Sequence, residues 1–159
     1  MFRAFGLLGI LLIVFVEANF FLKIQPFASW YFPLVWFGYI LTIDALVFKL
    51  RGNSLISSRT PQFLGMIVIS MLFWWVFEFI NLSTQNWNYL GLEGLGVWGD
   101  LMGTISFATV LPAFFETVEL IRSVHLFDHR KLKKSHKITK RFLHTMMGLG
   151  ILFLILPII

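Results

Sequence analysis

The sequence predicts an all-α fold: a polytopic membrane bundle of five transmembrane helices that forms one domain over residues 1–159. Hydrophobic residues make up 58% of the chain and charged residues 13%, against about 45–50% and about 25% in soluble domains. The mean hydropathy is +0.82. Two further features support the prediction of an integral membrane protein. The chain has five long apolar segments, and nearly all of its Lys and Arg residues lie on one side of them.

A transmembrane helix needs about 20 mostly apolar residues, and five windows meet or approach this length. They cover about residues 4–22, 30–50, 62–82, 101–121 and 142–159. The first window resembles a signal peptide, because Arg3 precedes a short apolar core, but the apolar run resumes at residues 20–22. We therefore expect an uncleaved span. The last window is the shortest, and the chain is expected to end there naturally.

The connections between the spans carry turn and cap residues. The first loop is short and contains Pro26, so spans one and two should be antiparallel neighbours. In the second loop Gly52 and Asn53 favour a turn, and Thr60 is placed to cap a helix that begins with Pro61. The third loop, residues 83–100, is rich in Trp, Tyr and Gly. It is predicted to fold back on the bundle as a lid.

The basic residues predict the orientation. Twelve of the thirteen Lys and Arg fall on one side of the predicted spans, and Lys23 alone falls on the other. By the positive-inside rule the N-terminus is cytoplasmic and the C-terminus is outside, which suits a bacterial inner membrane. The basic segment 122–141 is expected to meet anionic lipid headgroups rather than nucleic acid. The chain has no cysteine, which excludes disulfides and thiolate chemistry.

Glu78 interrupts the third window. If this window is a helix, Glu78 lies on one face with Met71, Trp74, Asn81 and Gln85. A carboxylate at mid-span costs about 2.5–3.5 kcal/mol, so Glu78 should face protein or trapped water and mark a functional site. Because Lys23 is the one cation on the outer side, Glu78 is expected to be neutral, to hydrogen-bond to Asn81, or to await a ligand.

A second layer of ionisable residues is predicted nearer the basic side. It comprises Asp44 in span two, Glu116 and Glu119 in span four, and His144 in span five. Neighbouring carboxyls in a dry medium raise one another's proton affinity, so one of them could act as an acid with His144 as its partner. Thr109 and Pro112 share the face of Glu116, and Pro112 frees a carbonyl that could line a cavity.

A structural interpretation of this layer is equally open. The acids would then pair with basic residues near the cytoplasmic interface and fasten the helices together. The candidate partners are Arg51, Arg122 and Lys140, with Arg51 seven residues from Asp44 on one helix face. No metal or cofactor is predicted, because four-helix carboxylate sites pair Glu with Glu-x-x-His and the sequence has no such pair.

The aromatic content suggests the class of ligand. Trp74 and Trp75 lie a turn or more inside the span, too deep for interface anchors, and could line a slot for a polyene, quinone or prenyl chain. The candidate catalytic residues are Asp44, Glu78, Glu116 and Glu119. The candidate ligand-binding residues are Trp74, Trp75, Asn81, Thr109 and His144.

Residues 73–120, about a third of the chain, resemble the lycopene cyclase domain of small carotenoid-cyclising membrane proteins. The resemblance rests on Glu78 after tryptophan, the Asn-Trp-Asn-Tyr-Leu-Gly turn at 86–91, a Gly-rich loop, and a span with Pro112 and Glu116. It implies acid-catalysed cyclisation of a polyene. The family's Pro-x-Glu-Glu signature is absent, and Asp100 is the one acid in the segment 95–100 that replaces it.

Three functions follow from these features. The leading hypothesis is an intramembrane carboxylate site that binds or acts on a lipid-soluble small molecule. The first alternative is a small structural or assembly subunit whose carboxyls pair with a protein partner or another copy of the chain. The second alternative is a proton-coupled carrier, which two carboxylate layers on opposite sides would suit.

Overall fold

The computed structural model describes residues 2–90, 92, 94–126 and 138–158. Helices account for the regular structure of this part of the chain, and the described residues contain no strand. The helices are α1 (Ala4–Phe21), α2 (Tyr31–Arg51), α3 (Leu55–Ser58), α4 (Thr60–Thr84), α5 (Val97–Ser123) and α6 (Lys140–Ile155), followed by a turn of 3-10 helix at Leu156–Ile158. The all-helical prediction is confirmed.

Four of these helices, α1, α2, α4 and α5, are long and apolar enough to cross a membrane. They cover the first four predicted windows and identify an integral membrane protein. The fifth window does form a helix, but α6 has 16 residues. A helix of that length spans about 24 Å, which is shorter than the hydrocarbon core of about 30 Å.

The long helices pack in the order α1, α2, α5, α4, so α2 and α5 form the centre of the bundle. The peripheral helix α4 buries one residue of its 25, Ser70. None of the residues of α6 is buried. The exposed apolar side chains on these two helices, such as Leu72, Phe79 and Phe153, are therefore available to lipid or to another protein.

The α1–α2 contact depends on glycine. A Cβ built on Gly9 would lie 2.6 Å from the carbonyl oxygen of Gly38 and 2.9 Å from the backbone nitrogen of Thr42. A Cβ on Gly38 would lie 2.9 Å from the carbonyl oxygen of Gly9. The two backbones touch at this crossing, as in membrane helix pairs whose interfaces are built from small residues.

The α4–α5 contact is anchored where Pro112 interrupts the hydrogen bonding of α5. The Ser70 hydroxyl donates to the carbonyl of Phe107 over 2.5 Å and accepts from the backbone N–H of Leu111 over 3.1 Å. The Ser70 side chain of α4 therefore joins the two helices through backbone groups of α5 in the turn before Pro112.

The connection between α2 and α4 contains a short helix, α3, that the sequence did not predict. Gly52 adopts the left-handed conformation at φ 71° and ends α2, as its turn propensity predicted. The prediction that Thr60 caps α4 is wrong by one residue. Arg59 occupies the cap position, and the Thr60 hydroxyl donates to the carbonyl of Ile56 instead.

Candidate functional site

Four arginines of the described segments, Arg3, Arg51, Arg59 and Arg122, lie at one end of the bundle. Arg51, Arg59 and Arg122 line one pocket, and Arg3 lines a second with Ser57. The Arg3 guanidinium also lies 3.9 Å from the ring centre of Phe48, near the end of α2. The candidate site lies at this basic end, between α2 and α5.

Asp44 is fully buried and fastens α3 to α2. One carboxylate oxygen accepts from the Ser54 hydroxyl over 2.8 Å, and the other accepts from the backbone N–H of Ile56 over 2.7 Å. The expected approach of Arg51 to this carboxylate is not found, because Arg51 lines the pocket and the N-terminus of α3 supplies the donors. The carboxylate satisfies an otherwise orphaned helical N–H, as a capping group does.

Glu119 forms an ion pair with Arg59. Both of its oxygens lie 2.6 Å from one terminal nitrogen of Arg59, and the two side chains are 14% and 35% exposed. The expected cationic partner was Arg51, Arg122 or Lys140, and the true partner is Arg59. This ion pair ties α5 to the start of α4, and its partial exposure limits its contribution to about 1 kcal/mol.

Glu116 differs from Asp44 and Glu119 in its hydrogen bonding. Its side chain is fully buried. Neither carboxyl oxygen accepts a hydrogen bond from an N–H or hydroxyl group of the described residues, and the neighbouring carboxyl of Asp44 can be its partner only when one of the two acids carries a proton. The carboxyls of Asp44 and Glu119 and the guanidinium of Arg59 are its charged neighbours. Since buried polar groups in folded proteins are almost always satisfied, this carboxyl needs a functional explanation.

A pocket of about 480 Å³ opens beside Glu119, whereas Asp44 and Glu116 do not line it. Its walls are Arg51, Asn53, Arg59, Glu119 and Arg122. The arginines come from three separate elements: the end of α2, the residue before α4 and the end of α5. The sequence interpretation treated these arginines as topology signals or as partners of the acids, and it missed their convergence on one concavity.

Two predicted ligand-binding residues lie away from this pocket's walls. Thr109 is buried, and its hydroxyl donates to the carbonyl of Ser106 over 2.7 Å within α5. His144 is exposed on α6, which makes no extensive contact with α2 or α5. The structure does not bring His144 to the buried acids. Most of the basic segment 122–141, at 127–137, lies outside the described residues.

The outer layer is organised by the third loop. Glu78 accepts from the Tyr89 hydroxyl over 2.5 Å and from the Trp87 indole N–H over 3.3 Å. Asn81 binds the same loop through its backbone: its oxygen accepts from the N–H groups of Asn86 and Trp87, and its amide donates to the Trp87 carbonyl. Asn81 is thus not the partner of Glu78, contrary to expectation, and the loop folds back on α4 as predicted.

The two deep tryptophans pack on protein. The rings of Trp74 and Trp75 lie 5.8 and 5.9 Å from the ring of Phe107, measured between centres. The Trp75 indole N–H donates to the Thr104 hydroxyl over 3.2 Å, and that of Trp74 points to the Tyr89 hydroxyl at 3.4 Å. Phe107 therefore occupies space that the sequence interpretation assigned to a flat ligand.

The Tyr89 contact predicts a pH dependence. The pKa of Tyr89 is raised above its usual 10.0, first because burial removes water from the phenol and second because its hydroxyl bonds to Glu78. The neutral phenol is favoured in the folded protein, so this stabilisation is complete below the usual pKa and is lost as the pH rises through the raised pKa. In Glu78→Gln we expect Tyr89 to ionise at a lower pH than in the wild type.

Ultraviolet absorbance of the phenolate measures this titration. The same titration of Tyr89→Phe identifies the share of the signal that belongs to Tyr89, because the chain contains three tyrosines. Identical Tyr89 titrations in the wild type and in Glu78→Gln would show that the contact does not exist in solution.

Among residues 2–90, 92, 94–126 and 138–158, no group of three or more His, Asp or Glu side chains is placed to hold a metal ion. Comparison of the chain with family models, with curated proteins and with solved structures finds no match. The function must therefore be argued from the geometry.

Proposed function

We propose that this protein binds a lipid-soluble small molecule beside Glu116, in a bacterial inner membrane. The basic end of the bundle and the N-terminus face the cytoplasm, and α6 with the turn after it completes a fifth crossing toward the outside. The gathering of Arg3, Arg51, Arg59 and Arg122 at one end supports this orientation.

The single observation that carries the proposal is the fully buried carboxyl of Glu116, which no N–H or hydroxyl group of the described residues satisfies. Leaving a buried polar group unsatisfied costs about 1–3 kcal/mol, and more when the group is charged. Such a group is explained if its partner is a ligand that arrives from the membrane. Glu116 could then hydrogen-bond a polar group of that molecule or transfer a proton to it.

The neighbouring acids have supporting roles in this proposal. Asp44 holds α3 in place, and Glu119 is held by Arg59, so neither is free to act on a ligand without breaking a bond. Their negative charges nevertheless surround Glu116 and set its electrostatic environment. We therefore assign the reacting or ligand-contacting position to Glu116 and positioning roles to Asp44 and Glu119.

The similarity to lycopene cyclases makes a polyene one candidate ligand. In that case Glu78 and the loop that covers it form the second acidic position of the same bundle. The bonds of Glu78 to Tyr89 and Trp87 support a closed loop over this carboxyl. A ligand reaching Glu78 would have to displace these two donors.

The test uses Glu116→Gln in the full chain, extracted into native-lipid discs. Mass spectrometry of co-purifying hydrophobic molecules should find a compound that is enriched with the wild type and reduced about tenfold or more with the variant, since hydrogen bonds to charged groups are worth about 1.5–3 kcal/mol. Glu17→Gln is the matched control, because Glu17 also lies on a span but already accepts from Tyr31.

Equal amounts of every hydrophobic molecule in the wild type and in Glu116→Gln would contradict the proposal. Enrichment of no compound with the wild type would contradict it as well. A loss of the same size in Glu17→Gln would indicate a general effect on the bundle rather than a site at Glu116.

A second candidate function is an assembly subunit of a larger membrane complex. The observation that favours it is the exposure of α4 and α6, which bury one and no residues respectively. This function predicts that a specific protein co-purifies in fixed stoichiometry and that the isolated chain is unstable until that protein is added.

A further inference from the structure

Three arginines converge on one pocket that the sequence did not predict as a site. Arg51, Arg59 and Arg122 line it together with Asn53 and Glu119. Glu119 pairs with Arg59. Within the described segments, Arg51 and Arg122 make no ion pair with a carboxylate. The pocket walls therefore present two guanidinium groups whose charge no carboxylate of the described residues matches.

The positive-inside rule alone accounts for arginines at this end of the bundle, but not for their convergence. Arginines that only set topology can extend separately into the headgroup region. Here three helix ends direct them to one concavity of about 480 Å³, within the range of about 300–1,000 Å³ typical of small-molecule sites. The planar fork of donors on a guanidinium matches phosphate oxygens particularly well.

We infer that this pocket binds the anionic, phosphate-type group of the ligand, so that the ligand is an amphiphile with an apolar tail. This inference rests on the proposed function, because it assigns the head group of the molecule that reaches Glu116. The pocket reaches α5 at Glu119, one turn from Glu116, so a molecule whose phosphate-type group is bound there lies next to Glu116 and can extend its apolar chain toward the membrane.

The charges around the pocket determine which groups can hold the anion. The C-terminal ends of α2 and α5 carry partial negative charge, which opposes an anion. Binding therefore depends on the side chains of Arg51 and Arg122, with the amide of Asn53 as a further donor. Arg59 contributes less, because Glu119 occupies one of its terminal nitrogens.

The experiment measures retention of a phosphate-bearing lipid by the full chain. The protein is placed in phosphatidylcholine discs that contain a small fraction of phosphatidic acid, and native mass spectrometry counts bound phosphatidic acid. We expect Arg51→Gln and Arg122→Gln each to weaken binding about tenfold, the scale of one charge-assisted contact, and the double variant to weaken it further. Lys49→Gln is the matched control, since Lys49 is exposed at the same end of α2 but does not line the pocket.

A second arm identifies the source of the phosphate group. Inorganic phosphate is added at increasing concentration to the same discs. Displacement of phosphatidic acid in the wild type would assign the pocket to the phosphate group itself. Retention of the lipid would show that the tail contributes to the affinity, as expected for an amphiphile. Displacement supports an anion site and identifies free phosphate as a competing ligand, whereas retention contradicts a site that recognises the phosphate group alone.

The inference is overturned if both arginine variants retain phosphatidic acid as the wild type does. It is also overturned if Lys49→Gln loses as much binding, because the attraction would then be general surface charge. Measuring Glu116→Gln in the same assay separates the two proposals. Loss in the arginine variants with retention in Glu116→Gln supports the pocket and contradicts the role of Glu116, whereas the reverse contradicts the pocket alone.

Discussion

Replacing Gly9 by alanine is expected to destabilise the protein by about 1–3 kcal/mol, the usual range for overpacking a tight interface. The added methyl carbon would meet the carbonyl oxygen of Gly38 and the side-chain oxygen of Thr42, each at 2.6 Å. Neither can move away easily, because the first is backbone and the Thr42 hydroxyl donates to that same carbonyl over 2.8 Å. The two helices must separate along the whole α1–α2 contact.

The matched control is Gly65→Ala on α4. A Cβ at Gly65 meets nothing within 4 Å, and alanine favours helix over glycine by about 0.8–1.0 kcal/mol. This variant should therefore be neutral or stabilising, opposite in sign to Gly9→Ala. Thermal unfolding in one detergent, followed by circular dichroism, compares the two. A Gly9→Ala variant as stable as the wild type would show that α1 and α2 do not cross closely here.

The sequence predicted the elements of this fold well because crossing a membrane is a local property. A run of apolar residues needs a helix to satisfy its own backbone in lipid, whatever its neighbours are. The windows at 4–22, 30–50, 62–82 and 101–121 each became a long helix. The fifth window is the weakest, since Lys140 and Arg141 already belong to the 16-residue helix α6.

The partners of the polar residues were predicted poorly, because partner choice depends on loop paths that hydropathy does not encode. Asp44 takes donors from residues 10 and 12 positions away, after the chain turns at Gly52 and forms α3. Arg59 and Glu119 are 60 residues apart and meet only through the α4–α5 packing. The positions of the acids along the predicted spans indicated which of them lie at a similar depth in the membrane. They did not indicate which cation would pair with each acid.

In the outer layer, too, the helix was predicted correctly and the hydrogen-bond partners were not. Glu78 was expected to be neutral, to hydrogen-bond to Asn81, or to await a ligand, and Asn81 lies three residues from it on one helix face. Both instead bind the loop that follows α4, and Asn81 satisfies three backbone groups of that loop. The signal that could have indicated this is the Asn-Trp-Asn-Tyr segment directly after the helix, which supplies both backbone donors and aromatic hydroxyl and N–H groups.

Asp44→Ala should disrupt the basic end of the bundle more than any single change at the pocket walls. The substitution leaves the buried Ser54 hydroxyl and the Ile56 N–H without their acceptor. Each orphaned donor costs about 1–3 kcal/mol. Because α3 leads into Arg59, we also expect the Arg59–Glu119 pair to weaken. Asp44→Asn, which keeps one acceptor oxygen, should lose only part of this stability.

The measurement that isolates the role of Glu116 is a double-mutant cycle. Asp44 and Glu116 are neighbouring acidic groups, and their mutual interaction is repulsive when both are charged. In the wild type, removing Asp44 also removes its repulsion of the Glu116 carboxylate. In Glu116→Gln there is no such repulsion to remove. Asp44→Ala should therefore destabilise the Glu116→Gln protein more than the wild type, with a coupling energy of about 0.5–3 kcal/mol. Coupling of the opposite sign would mean that the two carboxyls share a proton and stabilise each other.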